Sequence, residues 1–171
     1  MTKFRGAVLA AALLGVVVVG VNVLPSAAQQ APPPIAAEIL TGRAVFTDDV
    51  DVKLKLKRER EQRTVVNARD PSRTIVGRWT VQPGAQFPWH THAGPVVVNV
   101  TQGELVYVAA DDCVKRSYPA GTAFVDPGHG HVHTAYNPTG APTVFYATFF
   151  EAPAAPAPLL IPAAAPADCD V

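Results

Sequence analysis

The sequence has no excess of charge of either sign. Fourteen lysines and arginines face 14 aspartates and glutamates, and charged residues fill only 16% of the 171 positions. Without a basic field there is nothing to gather nucleic acid or an anionic membrane, and both are excluded as partners. No segment repeats its apolar residues at a sustained 3.6-residue period, so helices are not expected to build the core. A glycine-rich phosphate loop, a G-x-S-x-G nucleophile elbow and a carboxylate pair for glycoside cleavage are also missing, and with them the chemistries they serve. Cysteine is scarce, limited to Cys113 and Cys169, neither of which has another cysteine or a histidine at metal-ligand spacing.

Proline, by contrast, is plentiful, with 17 residues concentrated toward the two ends. Residues 1–28 begin with Lys3 and Arg5, continue through an apolar run from Ala7 to Val21 and end on the small residues Ser26-Ala27-Ala28. This is the form of a secretory signal cleaved after Ala28. Extended to Leu24, the apolar run approaches the length of about 18 residues that spans a bilayer, so an uncleaved N-terminal anchor is the alternative. Cleavage leaves 12 basic residues against 14 acidic ones. The mature chain is then a secreted or extracytoplasmic domain with no stable membrane insertion. Disulfides persist in such a compartment, and a Cys113–Cys169 bridge is expected to tie the C-terminal segment to the body of the protein.

Residues 29–37 read as a proline-rich lead that stays extended outside any sheet, with order beginning near Glu38. From Val50 to Leu56, Val50, Val52, Leu54 and Leu56 alternate with Asp51, Lys53 and Lys55, the signature of a half-buried strand with a solvated face. The charged run from Lys57 to Arg63 reads as a solvated strand end or loop. Further short strands are expected at Thr64–Asn67, Thr74–Val81, Val96–Thr101, Glu104–Ala109, Thr122–Val125, His131–Tyr136 and Thr143–Phe150, separated by Gly and Pro turns. Many short strands at close spacing indicate an all-β barrel or sandwich over residues 38–151. Residues 152–171 form an Ala/Pro-rich tail, expected to lie on the surface without adding a layer.

All five histidines fall between Gly84 and Asn137, at His90 and His92 and at His129, His131 and His133. Alternate positions on a strand share one face, so the two rows are able to meet around a single ion. Phe87 and Trp89 bracket Pro88 just before His90 and either line the mouth of a ligand pocket or seal the barrel end. Glu104, after a turn glycine, is expected to face solvent. For Tyr107, Tyr136 and Tyr146, packing and acid–base roles both stand open.

The histidine spacing carries a family resemblance. Gly84, five residues, His90, one residue, His92 and then Gly103 resembles the first cupin motif, G-x5-H-x-H-x3,4-E-x6-G; Gly121, five residues, Pro127, then Gly130, His133 and Asn137 resembles the second, G-x5-P-x-G-x2-H-x3-N. The resemblance covers about residues 74–150. It implies a double-stranded β-helix, or jelly-roll, barrel holding one divalent transition metal (Fe, Zn, Mn, Ni or Cu), with His90 and His92 as the first two ligands. His133 is the preferred third, counted back from Asn137. His131 is held in reserve because the loop is one residue longer than the motif, and His129 reads as a loop residue. The position of the family's glutamate ligand is Val96. A centre of three imidazoles carries no ligand charge, leaving the ion's full charge and open positions for water or substrate. Phe87, Trp89, Val96 and Asn137 are the expected lining of a pocket for a small-molecule ligand. The similarity implies a three-histidine dioxygenase-like enzyme, an isomerase or a hydrolase; the alternative is a non-catalytic ligand-binding or structural module. A homodimer through the strand from Val50 to Leu56 is open.

Overall fold

The computed structural model describes residues 33–57, 63–68 and 70–171. The signal or anchor reading of residues 1–28, the start of the proline-rich lead and the interior of the charged run after Lys57 lie outside the described residues. Among the described residues the regular elements are twelve strands. No helix there is long and apolar enough to cross a membrane.

The strands are β1 (Ile35–Ile39), β2 (Val52–Leu56), β3 (Thr64–Ala68), β4 (Ile75–Val81), β5 (His90–Thr91), β6 (Val96–Gln102), β7 (Glu104–Ala109), β8 (Lys115–Pro119), β9 (Ala123–Asp126), β10 (His133–Tyr136), β11 (Thr143–Phe149) and β12 (Ile161–Pro162). They form two five-stranded antiparallel sheets, ordered β1-β4-β11-β6-β9 and β12-β5-β10-β7-β8, and a separate β2-β3 hairpin. This is the expected all-β jelly roll.

Period-2 patterning explains how the sheets enclose a core. Along β4, buried Ile75, Gly77, Trp79 and Val81 alternate with half-buried neighbours; along β6, Val96, Val98 and Val100 point in. Phe145, Ala147 and Phe149 of β11 continue that face, and Leu105 and Ala135 complete it from the second sheet. Gly77 is glycine for a packing reason, since a Cβ there would stand 2.5 Å from the Trp79 ring. In the hairpin, Val52, Leu54 and Leu56 are half-buried while Lys53 and Lys55 are exposed, as their alternation predicts.

One expectation is corrected. Order begins ahead of Glu38, because β1 starts at Ile35 and pairs with β4 over five positions from Ile35↔Val81 to Ile39↔Gly77. The prolines before Ile35 lack N–H donors but leave the strand after them free to pair. The tail adds no further layer but is tied to the body along one edge. Its Ile161 and Pro162 pair with Thr91 and His90, Leu159 and Leu160 pack against the core, and a Cys113–Cys169 disulfide fixes its end. Pro162 is tolerated because β12 is an edge strand.

Candidate metal centre

His90 lies on β5, His92 follows two residues later on the same face, and His133 opens β10. Register brings the two rows together, for His133 pairs directly with His90 on one side and with Ala109 on the other. The three rings are 4–6% exposed. Their centroids are 4.3 Å (His90–His133), 4.9 Å (His90–His92) and 5.1 Å (His92–His133) apart. One ligand nitrogen from each lies within 4.8 Å of the others.

The outward side of each ring faces oxygen. His90 Nδ1 is 2.7 Å from the Pro88 carbonyl and His92 Nδ1 is 2.8 Å from the Leu159 carbonyl. His133 Nδ1 lies 3.4 Å from the His131 carbonyl and 3.1 Å from Asp126 Oδ2. Carbonyls and carboxylates only accept, so each Nδ1 carries the hydrogen and each Nε2 is left with its lone pair. Histidines that ligate metals are commonly oriented in this way, by an acceptor on the far nitrogen. The donor set therefore fits a transition ion; magnesium and calcium, which prefer oxygen, fit it poorly.

Burial also keeps the rings neutral. It pushes His90 down to about 4, helped by the charge of nearby His92, and His133 down to about 3, outweighing the Asp126 carboxylate. His92 is lowered for the same reason. In the unfolded chain these groups return to 6.5, so between about pH 6.5 and 4 the unfolded state binds more protons than the native one, and native stability falls as pH falls. Metal-free protein followed by thermal unfolding is expected to lose stability steadily across that window. A midpoint unchanged from pH 7 to pH 4 would contradict the burial of neutral histidines.

The rings line a cavity of ≈50 Å³ between the sheets, room for about three waters. Its walls are mostly apolar, with Phe87, Trp79, Val96, Leu105, Phe145 and Phe149 among them, and Tyr107 and Asp126 add polar groups. Of the expected pocket residues, Phe87 and Val96 are present and two are not. Trp89 is absent from the lining, and its carbonyl accepts the Ala163 N–H of the tail. Asn137 is fully buried, but its amide donates to the Val81 and Ala141 carbonyls and its oxygen accepts from Thr139, anchoring the turn after β10.

His131 stands outside the three-ring cluster, with Nδ1 3.2 Å from the Tyr107 hydroxyl and 3.4 Å from Asp126 Oδ2. His129, at φ 51°, pairs with Glu151 at the surface. Glu104 accepts a hydrogen bond from Ser117. The loop holding His129 and His131 is pinned at Gly128, where φ is +62° and a Cβ would stand 2.0 Å from the Gly94 carbonyl oxygen.

Residues 77–149 match the family model described as a cupin domain. The chain carries a cupin-superfamily domain. No curated protein matches it. Among solved structures, the cupin is similar to an oxalate oxidase, at 25% identity over 45% of this chain and 41% of that one, with a TM-score of 0.41. It is also similar to a cupin superfamily protein from Desulfitobacterium hafniense (12% identity, 61% of this chain and 81% of that one, TM-score 0.41). A third is a cupin-superfamily sugar phosphate isomerase from Silicibacter pomeroyi (28% identity, 48% and 53%, TM-score 0.42). The chain thus spans about two fifths of the oxalate oxidase chain that it matches.

One residue at the cupin's histidine cluster escaped the sequence reading. Asp126, 1% exposed, closes β9 and sits beside His131 and His133. Burial alone raises its acid, but the hydrogen bond from His131, the nearby His133 and His92 and the Tyr107 hydroxyl outweigh it and hold the carboxyl below the usual carboxylate range. The three-imidazole group itself carries no ligand charge, as its residue types require, but a carboxylate stands behind one of its rings.

Proposed function

We propose that this cupin binds one divalent transition ion through His90, His92 and His133 and uses it on a small organic molecule, in chemistry of the dioxygenase, isomerase or hydrolase type. The outward hydrogen-bond acceptors on all three Nδ1 atoms, which leave three neutral Nε2 donors, carry this reading. A bound ion supplies Lewis acidity and open coordination positions. The chain's own contribution is to fix the rings, to exclude bulk water with Phe87, Phe145 and Phe149, and to limit the guest to one of small size and largely apolar body. In this reading the protein is exported, with a signal removed after Ala28, a barrel domain that begins with β1 at Ile35 and a tail that closes it; the Cys113–Cys169 bond supports an oxidising compartment.

A non-catalytic ligand-binding module is the second reading, favoured by Val96, which removes a carboxylate ligand from the cupin pattern. Metal analysis of untagged wild type, His90→Ala and His133→Ala tests the first reading. The wild type is expected to carry about one ion per chain, and each variant a tenth of that or less. Wild type without stoichiometric metal at neutral pH would defeat it. Metal bound with no oxygen consumption across small thiols, diketones and phenolics leaves isomerase, hydrolase or binding roles.

A further inference from the structure

Val96 occupies the cupin glutamate position, yet a carboxylate is still buried in the cavity wall. Asp126 is paired directly with Val96 across β6 and β9. Directly opposed residues of an antiparallel pair share a face, with Cβ atoms about 5 Å apart. A carboxylate at position 126 therefore stands one strand away from where the family pattern puts it, on the same inner surface.

The surroundings of Asp126 are those of a held anion. Gly128 N donates to Oδ1 at 2.8 Å and the Tyr107 hydroxyl to Oδ2 at 2.7 Å. The same Oδ2 lies 3.1 Å from His133 Nδ1 and 3.4 Å from His131 Nδ1. Its ion-pair partners among the described residues are thus histidines. A buried carboxylate held without lysine or arginine is costly unless hydrogen bonds and a nearby positive centre compensate it. His133 also differs from its companions, for the outward nitrogens of His90 and His92 meet neutral carbonyls while that of His133 stands beside a charge.

We propose that Asp126 replaces the missing carboxylate ligand as a positioning residue: it orients His133 from behind and supplies the centre's negative charge from one strand away. The inference rests on the metal-binding reading above. It makes the strength of metal binding depend on Asp126 while leaving the three nitrogen ligands unchanged.

Metal-stripped wild type and variants, titrated with Co(II) against a chromophoric chelator, test it. Asp126→Asn, which keeps the shape and loses the charge, is expected to bind 10–100-fold more weakly, the range typical for loss of an outer partner of a ligating histidine. Asp126→Glu is expected to stay within about 5-fold of wild type. In the Asp126→Asn background, Val96→Glu returns a carboxylate to the opposed position and is expected to recover at least 10-fold, whereas the same change in wild type, where Asp126 already supplies the charge, is expected to gain distinctly less; equal gains in both backgrounds overturn the replacement of one carboxylate by the other. Asp126→Asn binding as tightly as wild type overturns the proposal, as does a folded double variant that shows no recovery. If Asp126→Asn does not fold alone, the comparison passes to Asp126→Glu and the double variant, and loss of more than 10-fold in both overturns it. An ion held instead by Asp126, His131 and His133 would survive His90→Ala and be lost in His131→Ala, which also overturns it. Wild type that binds no Co(II) defeats the metal-binding reading itself, a result distinct from all of these.

Discussion

Replacing Cys113 or Cys169 with serine is expected to destabilise the protein by about 4 kcal/mol, the chain-entropy contribution of a cross-link closing a loop of this size. The bridge joins residues 56 positions apart, so without it the unfolded chain regains most of its freedom. The native consequences reach further than the bond. The tail it secures is also held by Arg43, which donates to the carbonyls of Pro153 and Ala157, by the pairing of β12 with β5, and by Leu159, whose carbonyl orients His92. Loosening the tail removes that acceptor, so metal affinity is expected to fall together with stability. Urea unfolding of oxidised wild type and Cys113→Ser, with Co(II) titration of both, checks this. A stability change below about 1 kcal/mol would contradict a bridge formed in the native protein.

Trp79→Ala is expected to cost 3–5 kcal/mol, the range for removing a buried aromatic from a core that cannot collapse around the gap. Trp79 is 4% exposed. Its ring stacks on Phe145 with centroids 5.6 Å apart and planes 5° from parallel, and meets Phe149 at 5.4 Å. The void would open beside the histidine cluster, because Phe149 in turn sets its edge against His92 at 5.2 Å. On one side along the strand the next inward position is Gly77, which has no side chain to refill it. Equilibrium unfolding measures the cost, and a loss under 1 kcal/mol would mean that Trp79 is not the packed centre of the core.

Much of this was legible in the sequence because period-2 alternation ties side-chain type to face. β4, β6 and β11 follow from it, as does the convergence of His90, His92 and His133, while β7 is legible as a continuous apolar run buried on both faces. The strands that escaped notice have weak or misleading signals. β1 opens with Ile35-Ala36-Ala37, which is poor in β-branched residues; β8 is Lys115-Arg116-Ser117-Tyr118-Pro119, polar at nearly every position; β12 has two residues, one of them proline. Each is an edge strand, where pairing on one side suffices. Trp89 and Asn137 were misplaced because their neighbours in sequence belong to the site while their own bonds go to the tail and to a turn. Asp126 belongs to neither cupin motif's ligand set, and its register opposite Val96 is visible only in the fold. Its available signal was its parity with Phe124, which puts a carboxylate on the inner face of β9 immediately before Pro127.

The most direct test of the central claim is anomalous diffraction at the absorption edge of the bound metal, from crystals of untagged protein. One peak is predicted, about 2.0–2.1 Å from Nε2 of His90, His92 and His133, with Asp126 behind His133 and not in contact with the ion. A peak at Asp126 and His131, or no peak at all in protein supplied with metal, would contradict it.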